Sequence, residues 1–133
     1  MGAAHDLLAA RCPSWAVLNL IGARWVPTVL TALDPGPMRF TELKKVVDGV
    51  TAKALTETLR TLEHDGIVDR IETPSAVPPR VDYALTPLGR SLLEVLTPVR
   101  DWAERHVGDI AEARRRHSAR HGAPASVSGS PAR

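Results

Sequence analysis

One stretch of predicted helix combines side chains that can hydrogen-bond to nucleic acid with a regular apolar stripe. Leu55, Leu59 and Leu62 fall at i, i+4 and i+7, so they define a buried face. Four polar residues share the opposite face: Lys53, Thr56, Glu57 and Arg60. Lysine, arginine and threonine can donate to base edges or phosphates, whereas glutamate can accept from a cytosine amino group or repel phosphates and penalise wrong registers. The pattern predicts DNA recognition. The alternative for Lys53 and for Arg60 is that each only solvates an exposed helix face.

A pair of capped helices can position this face. Thr41 is expected to cap a short helix that ends at Val47, and residues 48–50 then turn the chain with a central glycine. Thr51 is expected to cap the second helix, which reaches about His64. Two short helices joined by a tight turn with glycine are typical of a helix-turn-helix, whose second helix enters the major groove.

A β-hairpin is predicted after the helix pair. Residues 67–73 are rich in β-branched side chains, and residues 80–85 alternate with the two-residue period of a strand. The link at 74–79 contains three prolines, which cannot donate to a ladder, so a stiff projecting tip is expected. Thr86 is expected to cap a further helix with Pro87 at its first position. The predicted fold class is α+β, mainly helical: a winged helix-turn-helix with a two-stranded hairpin wing.

The order and spacing of these segments resemble the HxlR-type winged helix-turn-helix transcriptional regulators of bacteria, which are MarR-like. The resemblance covers roughly residues 12–106. The segments that carry it are Cys12-Pro13, Gly22–Trp25, Arg39–Leu43, Leu62–Val68 and Pro78–Leu92. It implies a small homodimeric repressor or activator that binds double-stranded promoter DNA. It also implies that an oxidant, an electrophile or another small molecule can act as an effector in some members, through an N-terminal cysteine.

The expected DNA contacts extend beyond one helix face. They are Arg39, Thr51, Ala52, Lys53, Thr56, Glu57, Arg60 and Arg80. Thr51 and Ala52 should approach the DNA backbone at the helix start, and Arg80 in the wing should lie near a phosphate or the minor groove. The family often has proline in place of Ala52 and arginine in place of Thr58. These departures affect which DNA sequence is expected to be bound and leave the expected binding mode unchanged. The alternative function is a winged-helix protein-interaction module without specific DNA binding.

The chain after Thr86 carries more apolar surface than a small winged core should need. Apolar residues recur at three- and four-residue spacing over residues 88–110. We therefore expect N- and C-terminal dimerisation helices, with an interface made of Trp15, Leu92, Leu96, Val99, Trp102 and His106. The alternative is that the last helix packs on its own domain. Pro98 is expected to kink or divide this helix near Leu96 or Thr97.

Two N-terminal helices, Ser14–Ile21 and Val26–Leu33, are expected to complete the core. Their partly buried residues should be Trp15, Leu18, Ile21, Trp25, Val29 and Leu33. The three tryptophans of the chain would also suit a ligand pocket. Packing in the core or at the dimer interface is the preferred interpretation.

Cys12 is the candidate residue for redox sensing. It lies beside Arg11 and before Pro13 at a predicted helix start, where the helix dipole and the neighbouring cation both favour the thiolate. Because the chain has one cysteine, oxidation could give a sulfenic acid, a mixed disulfide with a small thiol, or a bond between two subunits. The alternative is an inert, half-buried thiol.

Composition limits the remaining possibilities. The chain has 133 residues and a net charge of +2, an excess too small to identify a nucleic-acid binder unaided. Its apolar stretches are too short and too interrupted to span a membrane, so a cytoplasmic protein is expected. No catalytic, cofactor-binding or metal-binding motif is found, so we expect neither an enzyme nor a cofactor. Residues 1–11 should form an arm or helix extension, residues 12–117 the winged domain with its dimerisation helix, and residues 118–133 a disordered tail.

Overall fold

The computed structural model of the protein describes Leu8 and residues 13–122. Within this part of the chain there are five helices and one antiparallel hairpin, which confirms the mainly helical α+β fold with a two-stranded wing. In chain order the elements are α1 (Ser14–Gly22), α2 (Val26–Ala32), α3 (Phe40–Val46), α4 (Ala52–His64), β1 (Val68–Thr73), β2 (Arg80–Leu85) and α5 (Pro87–His121). The chain divides into two units, one ending at Glu94 and the other beginning at Val95.

The two helices of the helix-turn-helix begin in different ways. The Thr51 hydroxyl accepts the backbone N–H of Ala54 at 3.0 Å, so Thr51 caps α4 as its sequence predicts. The predicted cap of α3 at Thr41 is wrong, because α3 already begins at Phe40 and Arg39 occupies the N-cap position. The Glu42 carboxylate accepts the backbone N–H of Arg39 at 2.9 Å, which fixes this earlier start.

The core of the first unit is apolar. Among the described residues of the chain, no polar or charged side chain is buried. The buried residues come from α2 and the residue after it, the helix-turn-helix with its turn, the hairpin base and the start of α5: Val26, Val29, Leu30, Leu33, Leu43, Val47, Val50, Leu55, Leu59, Leu62, Ile67, Val68 and Leu93. The three leucines of α4 lie in this core, as their spacing predicts. Burial of this shared apolar surface is the main force that holds α4 in place.

The hairpin has a register that runs from Val68 opposite Leu85 to Thr73 opposite Arg80. Met38, just before α3, adds an isolated bridge to the other side of β2. Its N–H donates to the Tyr83 carbonyl at 2.9 Å, and its carbonyl accepts the Tyr83 N–H at 2.8 Å. The hairpin is therefore tied through backbone bonds to the segment that enters the helix-turn-helix.

The base of the hairpin and the start of α5 meet at one residue, Thr86. Its hydroxyl lies 2.6 Å from the Gly66 carbonyl oxygen and accepts the Gly89 N–H at 3.0 Å, while its own N–H donates to the Ile67 carbonyl at 3.1 Å. The predicted cap at Thr86, with Pro87 first in the helix, is thus present. We call this group of residues, Gly66, Ile67, Thr86 and Gly89, the wing-base junction.

Helix α5 departs from the sequence prediction at two places. It is continuous from Pro87 to His121, so the predicted division near Leu96 or Thr97 is wrong, while the alternative, a kink there, stays a prediction. A long helix can lose the one backbone hydrogen bond that Pro98 cannot donate and keep those on both sides.

The helix also extends past Ser118, where the predicted tail begins, and the His121 ring lies 4.2 Å from the ring of His117. Residues 118–121 are therefore helical, while 123–133 lie outside the described residues.

None of the helices described here is both long enough and apolar enough to cross a membrane.

Gly89 should be the least replaceable glycine of α5. A Cβ at this position would overlap the Ile67 carbonyl oxygen and would lie 3.2 Å from the Ile67 Cγ2 atom. We expect Gly89→Ala to lower the free energy of unfolding by about 1 to 3 kcal/mol, measured by urea denaturation. Gly108→Ala is the matched control, because a Cβ there meets nothing within 4 Å and alanine favours the helix by roughly 0.5 to 1 kcal/mol. Equal effects of the two substitutions would contradict the proposed overlap.

Candidate nucleic-acid interface

The outer face of α4 carries an ion pair between two of the predicted DNA-contact residues. The Lys53 Nζ atom lies 2.9 Å from the Glu57 Oε2 atom, one helical turn away, and both side chains are exposed. Surface pairs of this kind are weak, so Lys53 can leave Glu57 for a phosphate at little cost. Glu57 nonetheless lowers the positive potential of this face and directs Lys53 along the helix.

Arg60 differs from Lys53 in its surroundings. It is exposed, and within the described residues it has no hydrogen bond or ion pair to another side chain. It lines a cleft of about 220 Å³ between α4 and the hairpin, whose walls are Phe40, Thr56, Leu59, Arg60, Glu63, Arg70 and Tyr83. Thr56 is half-buried in the same wall. The five donor groups of the Arg60 guanidinium are therefore free to bind an incoming acceptor.

The first turn of α4 presents small residues. Thr51 uses its hydroxyl oxygen as the helix cap, and the hydroxyl hydrogen can still donate to a phosphate. Ala52 is exposed as the first residue of the helix, where backbone N–H groups have no acceptor inside the helix. Thr58, in contrast, donates to the Ala54 carbonyl at 2.8 Å, so its hydroxyl is satisfied within the helix. Thr51 and Ala52, but not Thr58, are thus available at the helix surface.

The arginines of the wing are paired with carboxylates on their own strands. The Arg80 Nε atom lies 2.9 and 3.2 Å from the two Asp82 carboxylate oxygens, and Arg70 is bonded to Glu72 in the same i, i+2 arrangement. The hydrogen bond to Asp82, followed by the charge of Asp82, raises the pKa of Arg80 above its ordinary value. Since arginine is already charged at every physiological pH, this shift adds no pH dependence. Because Arg80 is hydrogen-bonded to both Asp82 oxygens, a DNA phosphate would compete with Asp82 for Arg80.

The structure places the predicted contacts on three elements of the first unit. Arg39 is exposed at the N-cap of α3, Arg80 begins β2, and the other six lie at the start or on the outer side of α4. Sequence reasoning missed Arg70 and Tyr83, which face each other across the strands and line the cleft with Arg60. Residues that pair across two strands share one face of a sheet. A register assigned to the two predicted strands would therefore have placed Arg70 beside Tyr83.

The predicted dimer contacts fall into exposed and buried groups. No residue of α1 is buried, and Trp15 is 42% exposed. In the second unit, Val99 and Trp102 are 53% and 51% exposed, and the His106 ring stacks on Trp102 with 4.5 Å between the ring centres. Leu92 is half-buried. Leu96 is only 5% exposed in the single chain, so little of its surface remains for a partner subunit.

Two further predictions concern metal and redox chemistry. Over residues 13–122, no group of three or more histidine, cysteine, aspartate or glutamate side chains is arranged to hold a metal ion. The predicted redox residue, Cys12, lies outside the described residues. Its role therefore stays a prediction from the sequence.

Comparison with known proteins decides the family. A model of the HxlR-like helix-turn-helix family matches residues 20–111, which span α2 to α4, the hairpin and most of α5. The chain belongs to the HxlR-like helix-turn-helix family. This confirms the resemblance seen in the sequence.

Individual family members are similar over most of the chain. The HTH-type transcriptional regulator YtfH of Escherichia coli is 39% identical over 109 residues, which cover 82% of this chain and 86% of YtfH. The solved structure of the transcriptional regulator ytfH from Salmonella typhimurium has a TM-score of 0.72 at 37% identity and covers 84% of this chain and 99% of its own. The redox regulator HypR in its oxidised form has a TM-score of 0.64 at 36% identity, with coverage of 71% and 96%.

These relatives establish the general function. The protein is a DNA-binding transcriptional regulator with a winged helix-turn-helix fold, as its sequence predicts. The family consists of regulators that are not enzymes, so the non-enzymatic interpretation is confirmed by family membership.

Proposed function

We propose that the protein acts as a homodimer that binds a roughly palindromic operator in promoter DNA. The observation that carries this proposal is the outer face of α4, where Arg60 is exposed without a charged partner in the described part of the chain. A face that lies beside a projecting hairpin suits a helix inserted in the major groove. Because promoter DNA is its proposed target, we place the protein in the cytoplasm.

Sequence reading is assigned to the exposed side of α4. Lys53, Thr56 and Arg60 supply donors, and arginine can bind both major-groove acceptors of guanine at once. Glu57 accepts from a cytosine amino group or repels phosphates when the helix sits in a wrong register. When Lys53 leaves Glu57 for a phosphate, the Glu57 charge is no longer compensated, which supports the second role.

Positioning on the duplex is assigned to the periphery of the same surface. Arg39, Thr51 and Ala52 lie at the starts of α3 and α4, where cationic, hydroxyl and backbone N–H donors suit phosphate oxygens. Arg80 in the wing is placed near a phosphate or the minor groove, where it exchanges Asp82 for a DNA acceptor. These contacts fix the orientation of α4 and carry no sequence information themselves.

A second copy of the chain completes the proposed operator complex. One winged domain reads one short half-site, so useful specificity calls for two domains related by a two-fold axis. The exposed apolar residues of α1 and α5, among them Trp15, Val99 and Trp102, support an interface between copies. Two half-sites are then expected about 34 to 36 Å apart, one turn of DNA, or a multiple of that distance.

Cys12 is proposed to make DNA binding responsive to oxidants or electrophiles. Arg11 precedes it and a helix follows from Ser14, and both features favour the thiolate. HypR, to which this chain is similar, is a redox regulator, and that property is transferred here only as a proposal. With one cysteine in the chain, oxidation gives a sulfenic acid, a mixed disulfide or a disulfide between subunits.

Fluorescence anisotropy tests the central proposal. The purified protein is titrated onto the intergenic DNA beside its own gene and onto a scrambled duplex, each over a series of salt concentrations. Tight binding to the native duplex alone, weakening steeply with salt, is the expected result. Weak and equal binding to both duplexes would indicate that the operator lies in another promoter. Binding that does not depend on salt would favour a protein partner instead of DNA.

Arg60→Ala should separate base reading from phosphate contact. If Arg60 binds a base, specific binding weakens by about 1 to 3 kcal/mol while binding to the scrambled duplex changes little. A uniform loss on both duplexes would assign Arg60 to a phosphate. Arg105→Ala is the control, since Arg105 is an exposed arginine of α5 outside the proposed surface. Equal affinity of Arg60→Ala and the parent protein would remove Arg60 from the interface.

Val99→Glu should disrupt the proposed dimer. Burial of a new carboxylate in an apolar interface is costly, so analytical ultracentrifugation should show a shift from dimer to monomer. Arg105→Glu places the same charge on the polar side of α5 and should leave the dimer intact. A parent protein that sediments as a monomer at micromolar concentration would refute the dimer.

Cys12→Ser should abolish any response to oxidants while it leaves DNA binding intact. Diamide takes two electrons and two protons from two thiols as a disulfide forms, so treatment of the parent protein should change its operator affinity. Non-reducing electrophoresis and intact mass distinguish a disulfide between subunits from a mixed disulfide. A Cys12→Ser variant that responds to diamide as the parent does would exclude Cys12 as the sensor.

A further inference from the structure

Arg24 is an exposed cation outside the proposed DNA-contact set. It lies in the short connection between α1, which ends at Gly22, and α2, which begins at Val26. Its guanidinium carbon sits 4.6 Å from the centre of the Trp25 ring, a distance typical of a cation–π contact. Within the described residues, no carboxylate forms an ion pair with Arg24. The full charge of Arg24 is therefore available to an anion.

The Trp25 ring links Arg24 to the helix-turn-helix. Its Cη2 atom lies 3.7 Å from the position that a Cβ on Gly49 would occupy, so the ring edge is beside the turn between α3 and α4. Gly49 has a φ of +85°, a conformation that favours glycine, and it precedes the α4 cap, Thr51, by two residues. The half-buried indole is thus beside both the Arg24 guanidinium and the turn that leads into α4.

We propose that Arg24 is a further DNA contact, which binds a backbone phosphate next to the one approached at the start of α4. Stacking on Trp25 uses the face of the guanidinium and leaves the N–H groups at its edge free, which is the geometry that phosphate oxygens accept. The stack also restricts the side chain before DNA arrives, so less conformational entropy is lost on binding. Because Arg24 belongs to neither α4 nor the wing, it contributes to positioning and not to base reading.

This assignment rests on the proposed DNA-binding mode and differs from a purely structural role in one measurable quantity. A stacked arginine that only stabilises the fold changes thermal stability and leaves the salt dependence of DNA binding unaltered. A phosphate contact contributes about −0.9 to the slope of log Kobs against log salt concentration for duplex DNA. The salt slope is therefore the decisive readout.

The experiment compares Arg24→Gln and Arg24→Lys with the parent protein by anisotropy, on the native and scrambled duplexes, from low to high salt. For Arg24→Gln we expect the slope to become shallower by about 0.9 per subunit, with an equal fractional loss of affinity on both duplexes. Arg24→Lys should restore most of the slope, since it keeps the charge. Arg105→Gln removes an exposed arginine of α5 and should leave the slope unchanged.

The other possible results separate failure of the Arg24 assignment from failure of the proposed function. A parent protein with a steep salt slope that Arg24→Gln leaves unaltered would overturn this assignment and leave the proposed function intact. A loss confined to the native duplex would also overturn it, because it would make Arg24 a base-reading residue. A parent protein without salt-dependent DNA binding would overturn both proposals. The thermal midpoint of each variant, expected within a few degrees of the parent, ensures that the change in slope does not come from unfolding.

Discussion

The arrangement of α4 and the wing depends on the wing-base junction. Gly66 ends α4 with a φ of +77°, the Ile67 N–H returns to the Leu62 carbonyl at 2.9 Å, and Thr86 bonds to the carbonyls of this same segment. The close approach of Gly89 then brings α5 against the Ile67 backbone. A few backbone contacts thus hold together the end of α4, the start of β1, the end of β2 and the start of α5. The direction of the wing relative to α4 follows from these contacts and not from the tip.

The positive charges of the proposed DNA-binding surface are distributed unevenly. The wing arginines are compensated by carboxylates on their own strands, and Lys53 is paired along its helix, whereas Arg60 and Arg24 have no carboxylate partner in the described part of the chain. Cations that are already paired must exchange one anion for another when DNA binds, so their net gain is small. Discrimination between DNA sequences should therefore depend more on Arg60 than on the wing.

The sequence predicts the helix-turn-helix and the hairpin well because both are determined locally. The cap at Thr51, the leucine spacing of α4 and the prolines between the strands are short-range signals. The errors arise where a local signal is overridden: α3 begins at an N-cap two residues before Thr41, where the Glu42 carboxylate accepts the Arg39 N–H, and α5 continues through Pro98. Arg24 could not be assigned from sequence, since its position depends on contact between Trp25 and a turn that lies further along the chain.

The unpaired edge of the two-stranded sheet bears on whether copies of the protein aggregate. β2 is covered on one edge by Met38, while within the described residues the outer edge of β1 pairs with no other strand. Free strand edges are templates for edge-to-edge aggregation. β1 carries Asp69, Arg70 and Glu72 among its six residues. Charges at this density make it a poor template for another strand, so the hairpin can project from the molecule without recruiting neighbouring hairpins into a growing sheet.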